Sequence, residues 1–193
     1  MAGTSDLHAS DKILTLSNSI SFLRIFLAIP TVLALLHDNA DLAAIMMGIA
    51  YLTDLADGYV ARKTNTITEF GKALDPIADK LYVAALLLAM LSKNMAPLWF
   101  VVLVIGKDIL TMLGVLFAHR KIGAVLPSNF WGKSAVFITI VTLFLAVRGV
   151  SQDVLVFGWL ASTVLIAVSV VIYTVRALKL IKSEESSSSA AMN

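Results

Sequence analysis

Six apolar stretches, at about 20–36, 41–62, 71–92, 96–118, 133–149 and 154–178, constrain this 193-residue chain more than any other feature of its sequence. Each lies close to the roughly 20 residues that a helix needs to span a bilayer core. Hydrophobic residues make up 59% of the chain and charged ones 15%, with a mean hydropathy of +0.87. Soluble domains carry about 25% charged residues, so the composition is that of a membrane protein. The expected fold is all-α and polytopic, with six transmembrane helices in one domain over residues 1–182. Arg24 and Pro30 interrupt the first span, and Asp11 to Ser21 reads as a short interfacial amphipathic helix feeding it. A cleaved signal peptide is the rival there, but Arg24 falls inside the apolar run, where a signal would carry its charge in front.

Connector charges orient the bundle. Lys12, Arg24, Arg62, Lys63, Arg120, Lys121, Lys133, Arg176, Lys179 and Lys182 gather on one side, whereas Lys93 and Arg148 share the other with Asp38, Asp41 and Asp153. Short cytoplasmic loops are enriched in Lys and Arg, so both termini and the connectors near 63–70 and 119–132 are expected in the cytoplasm of a cell with this protein in its inner or plasma membrane. Arg176, Lys179 and Lys182 read as anchors to lipid headgroups. The net charge of +2 is too small and scattered for nucleic-acid binding, and zero cysteines exclude disulfides, thiol catalysis and cysteine metal sites. His8, His37 and His119 show no mutual ligand spacing. The segment 183–193 is polar, serine-rich and expected to be disordered.

Four aspartates lie in or beside the second and third stretches. They occur in Asp54-Leu-Ala-Asp57-Gly58-Tyr-Val-Ala61-Arg62 and, eight residues on, in Gly71-Lys-Ala-Leu-Asp75-Pro-Ile-Ala-Asp79. Carboxylates at membrane depth are expensive and mark a working site unless something else compensates them. Divalent metal is the natural compensator, because hard cations take carboxylate oxygens and keep positions open for substrate phosphates. On helices, Asp54, Asp57 and Ala61 form one stripe and Gly71, Asp75 and Asp79 another. Two antiparallel helices presenting those stripes would converge four carboxylates on one pocket. The alternative is capping or ion pairing with Arg62, Lys72 or Lys80. Gly58, Ala61 and Gly71 leave room for a ligand, and the planar fork of Arg62 suits phosphate oxygens. Aspartates in a membrane also line ion pathways, but such a pathway gives no reason for Gly58, Ala61 and Arg62 to sit where they do.

The string Asp-x2-Asp-Gly-x2-Ala-Arg-x8-Gly-x3-Asp-x3-Asp is filled at every fixed position. In this the chain resembles the CDP-alcohol phosphotransferase family of integral membrane enzymes. The resemblance implies that a CDP-linked lipid gives its substituted phosphate to an acceptor hydroxyl while CMP leaves. It implies two divalent ions, Mg2+ or Mn2+, held by Asp54, Asp57, Asp75 and Asp79, with Asp79 also the general base. Gly58, Ala61 and Arg62 are then the contacts to the CDP moiety, and a homodimer is implied by analogy.

Within the family, Leu74-Asp75-Pro76-Ile77-Ala78-Asp79-Lys80 resembles phosphatidylglycerophosphate synthases and also CDP-diacylglycerol-dependent cardiolipin synthases, and the early stretch Leu14-Thr-Leu-Ser-Asn18-Ser-Ile-Ser-Phe-Leu-Arg24 is similar to the glycerophosphate branch. That similarity implies CDP-diacylglycerol as donor and glycerol 3-phosphate, a small phosphorylated alcohol, as acceptor. Lys107, Arg120 and Lys133 are the candidate cations for the acceptor. Two departures keep phosphatidylglycerol, the acceptor of CDP-diacylglycerol-dependent cardiolipin synthases, as the alternative. Lys107-Asp108 stands where many glycerophosphate enzymes have arginine-glutamate, and Ser134-Ala135-Val136 follows Lys133 where a second lysine is common. Neighbouring helical residues point about 100° apart, so Lys107 and Asp108 are expected to face other partners rather than each other.

Overall fold

Three helices of this protein end in the same way, and their ends set the layout. In the computed structural model, which describes residues 16–64, 69–122 and 130–191, the elements are α1 (Leu16–Leu36), α2 (Ala40–Thr64), α3 (Glu69–Ser92), α4 (Leu98–Ile122), α5 (Phe130–Val147) and α6 (Gln152–Ala191). Side-chain placement is described for 22–55, 77–114 and 130–176. After α1, α3 and α5 one residue turns left-handed: Asp38 at φ 59°, Asn94 at φ 55° and Gly149 at φ 69°. At each, the amide of that residue and the next reach back to helix carbonyls, as in Asp38 to Leu35 at 3.1 Å and Asn39 to Ala34 at 2.8 Å. This paired closure satisfies carbonyls that a helix end leaves orphaned. Asn39 then caps the next helix, its Oδ1 accepting the Leu42 amide at 3.1 Å.

The chain packs as two compact units, Met1–Met95 and Ala96–Asn193. In the first, α1 is the central helix and packs against both α2 and α3. The turns after α1 and α3 share one end of this unit, where Lys93 pairs with Asp38 at 2.6 Å and donates to the Leu36 carbonyl at 3.3 Å. Because both C-terminal ends meet there, α1 and α3 run in the same sense and α2 runs in the opposite one.

The inward faces follow helical spacing. On α2 the buried positions Ala43, Met47 and Ala50 step toward Asp54, and on α3 Met90, Leu86 and Tyr82 step toward Asp79. On α1, Leu35 and Thr31 lead to Arg24, which is itself buried at 3% exposure. Small residues on the α2 face let backbones approach closely. Counted from the shared end, Arg24 lies 12 residues before Leu36, Asp54 14 after Ala40 and Asp79 13 before Ser92. At about 1.5 Å per residue these three charges stand within roughly 3 Å of a common level.

In the second unit α6 packs against α5 and α4. Trp159 meets Phe100 with ring centroids 4.6 Å apart, both rings buried. Gly158 lies against Thr142 so closely that an added Cβ would stand 2.6 Å from its Oγ1 and 2.7 Å from its Cγ2. Thr142 is held there by its own bond to the Ile138 carbonyl at 2.8 Å. Gly158→Ala is therefore expected to lower stability by about 1–3 kcal/mol, as overpacking does. Thermal unfolding in detergent checks this, and Thr142→Ala in the same background is expected to recover most of the loss.

Each helix turns large apolar side chains outward, among them Phe26, Leu52, Leu81, Leu110, Phe137 and Phe157. A surface of this kind needs lipid or a partner against it. Among the described residues, Phe130–Val147 and Gln152–Arg176 are long and apolar enough to cross a membrane, and Phe22–Leu36 is a shorter apolar helix. Among the described residues six helices occupy the six expected places, but only α5 and α6 have the length and apolar character of a membrane span, the charges within α1 to α4 interrupting theirs. The first helix starts by Leu16, so 16–21 continues α1, and 11–15 lies outside the described residues. The backbone of α6 runs through Ala191, past the boundary expected at 182, with neither Pro nor Gly to stop it after Gly158.

Candidate active site

Arg24 places a guanidinium inside an apolar core, and an unpaired charge there costs several kcal/mol. It is paired twice. One terminal nitrogen, Nη2, reaches Asp54 Oδ1 on α2 at 2.9 Å, and the other, Nη1, contacts Asp79 Oδ1 on α3. The fork thus spans the two helices that flank α1. The Arg24 side chain is 4% exposed, whereas those of Asp54 and Asp79 are 47% and 45% exposed. Asp79 Oδ1 is itself buried, so its carboxyl group turns one oxygen inward to Arg24 and the rest outward. Arg24 Nε and Nη2 and Asp79 Oδ1 are buried without a hydrogen bond among the described residues, so the contacts of Arg24 to the two aspartates are ion pairs.

A second polar tie braces α1 against α3. Thr31 donates to the Leu27 carbonyl at 2.7 Å, which leaves the Tyr82 hydroxyl to donate across to Thr31 Oγ1 at 3.3 Å. Thr31 lies two turns beyond Arg24 and Tyr82 one turn beyond Asp79, so α1 and α3 are pinned at two levels.

Of the residues singled out from the sequence, Asp54 and Asp79 are thus brought together from opposite halves of the aspartate motif. Asp57, Gly58, Ala61 and Arg62 lie on the helical backbone of α2 and Asp75 on that of α3; their side chains lie outside the described residues. Among the described residues no three acidic or histidine side chains gather as a metal cluster. Among the described side chains Asp54 and Asp79 both pair with Arg24, a partner not among the expected Arg62, Lys72 and Lys80; the side chains of Arg62 and Lys72 lie outside the described residues. Arg24, counted with the charges at helix ends, is instead buried eight residues into α1. Its signal in the sequence is a cation within an apolar run, which requires an internal carboxylate.

The acceptor candidates belong to the second unit. Lys107 and Asp108 do pair with each other, Nζ to Oδ1 at 2.6 Å, contrary to the expectation from their angular separation. The four-carbon stem of lysine is long enough to curl back along the helix to its neighbour. Lys133 is exposed in the first turn of α5, and the Arg120 side chain lies outside the described residues.

As ligands for a divalent ion, Asp54 and Asp79 fit. Carboxylate oxygens are the hard donors that magnesium and manganese prefer, both groups keep an open side, and the inward guanidinium holds them close without filling that side.

The described residues are thus all helical, turn large apolar side chains outward, and bring one carboxylate from each of α2 and α3 onto the buried Arg24. The family model for CDP-alcohol phosphatidyltransferase matches residues 14–179, and the chain belongs to that family. A protein named CDP-diacylglycerol--glycerol-3-phosphate 3-phosphatidyltransferase from Rickettsia bellii is 34% identical over 139 residues, covering 69% of this chain and 75% of that one. Its namesake from Bacillus subtilis is 42% identical over 90 residues, a match that spans 47% of this chain and about half, 46%, of that protein. A cardiolipin synthase (CMP-forming) from Streptomyces coelicolor is 28% identical over 193 residues, covering 91% of this chain and 88% of the relative.

Proposed function

We propose that this protein transfers the phosphatidyl group of CDP-diacylglycerol to the hydroxyl of glycerol 3-phosphate, releasing CMP, in glycerophospholipid synthesis. The observation that carries the proposal is the meeting of Asp54 and Asp79, one from each half of the family motif, on a single buried guanidinium. The site is formed within the membrane and opens to the cytoplasm, where the soluble acceptor arrives, while the lipid donor enters from the bilayer.

The acceptor oxygen attacks the lipid-side phosphorus, and the bond from that phosphorus to the oxygen of CMP breaks. Asp79 takes the proton from the acceptor hydroxyl as the new bond forms. Arg62 forks onto diphosphate oxygens, while Gly58 and Ala61 leave the room that the nucleotide needs against α2. Asp54, Asp57, Asp75 and Asp79 would hold two divalent ions, Mg2+ or Mn2+, which would supply charge stabilisation at the diphosphate. Lys133, Arg120 and Lys107 supply positive charge for the acceptor phosphate. The working assembly is a homodimer in the lipid membrane.

The test is CMP release by purified protein in detergent with CDP-diacylglycerol, Mg2+ or Mn2+, and a panel of acceptors. Glycerol 3-phosphate is expected to give metal-dependent turnover. Turnover with phosphatidylglycerol alone would replace the acceptor assignment with the second reading, which the similarity to the Streptomyces coelicolor protein over 91% of this chain favours.

A further inference from the structure

We infer that Arg24 is a positioning residue for metal binding: its buried fork holds Asp54 and Asp79 at a fixed separation and leaves their outward oxygens ready for divalent ions. The inference rests on the proposed phosphatidyl transfer and adds to it a residue outside the aspartate motif.

Three observations support it. The guanidinium approaches from the closed side, being 4% exposed, while the two carboxyl groups are 47% and 45% exposed on the other side. Two anionic groups on separate helices repel each other, and one cation bound to an oxygen of each removes most of that repulsion before any ion arrives. The position of the fork is itself fixed by the Thr31–Tyr82 tie two turns further along α1. Only arginine suits this place, because its planar donors can reach two carboxylates at once, whereas a lysine ammonium is a compact charge on a flexible stem. Loss of a group that orients metal ligands from behind typically costs about 10–100-fold in metal affinity.

Removal of Arg24 leaves two carboxyl groups that already reach the open side, so Arg24→Gln is expected to fold. Wild type, Arg24→Gln and Arg24→Lys are purified in detergent, stripped with chelator and titrated with Mn2+. Binding is read by the electron paramagnetic resonance of free Mn2+ and by the rise in unfolding temperature that the ion produces. Arg24→Gln is expected to weaken Mn2+ binding by about 10–100-fold, with Arg24→Lys in between. If Arg24→Gln does not remain folded, the Arg24→Lys titration carries the same test. Wild-type affinity or tighter binding in the variants, with normal Mn2+ binding and CMP release in the wild type, overturns this inference and leaves the proposed function standing. Absence of both Mn2+ binding and CMP release in the wild type overturns the two together.

Discussion

Asp79→Asn is expected to reduce metal-dependent CMP release by about 10²–10⁴-fold, the range that loss of a positioned proton acceptor spans. The substitution keeps the size and shape of the side chain and a carbonyl oxygen toward Arg24. It removes the negative charge and the ability to accept the acceptor's proton. Arg24 stays neutralised by Asp54 at 2.9 Å, so the unfolding temperature is expected to change little. The paired measurement matters, because it separates chemistry from folding. A folded Asp79→Asn protein that releases CMP at the wild-type rate would exclude Asp79 as the base and as an essential ligand.

The second large effect is on stability. Asp54→Asn/Asp79→Asn leaves Arg24 buried at 4% side-chain exposure with no charged partner among the described residues. Breaking a buried pair by removing the partners of one charge typically costs about 3–5 kcal/mol, since the remaining ion has lost its water and gained nothing for it. The two aspartates do not carry the same liability, because each is about half exposed and reaches a polar environment without Arg24. The double variant is therefore expected to unfold far more readily than Arg24→Gln. Adding Arg24→Met should recover most of the loss, as apolar replacements of buried ion clusters often do. Thermal unfolding in detergent of the double and triple variants decides the matter: equal stability of the two would show that Arg24 escapes to solvent and is not held in the core.

Much of the architecture was legible in the residues. Apolar runs of bilayer length anticipated six helices, and α2 to α5 begin and end within a few residues of the expected stretches. The turns after α1, α3 and α5 carry Asp38, Asn94 and Gly149, the residue types that tolerate a left-handed backbone. The aspartate motif was legible for the same local reason, since helical spacing alone puts Asp54 with Asp57 and Asp75 with Asp79 on shared faces.

The partners across helices were not legible. Among the described side chains Arg24 meets Asp54 and Asp79, and what brings them within reach is the register of α1 against both neighbours, pinned by Lys93 at one end and by Thr31 with Tyr82 in the middle. Lys107 and Asp108 show the converse case: backbone angles argued against their pairing, and the reach of a long side chain permitted it. Sequence by itself determined the helices, their apolar exteriors and the identity of the acidic side chains, because hydropathy and helical period act over a few turns of one chain segment. Tertiary structure alone decided that α1 stands at the centre of the first unit and that its arginine closes the aspartate pair. That choice follows from packing between segments 30 and 55 residues apart, where burial of a charge forces a partner and only the assembled helices determine which one is within reach.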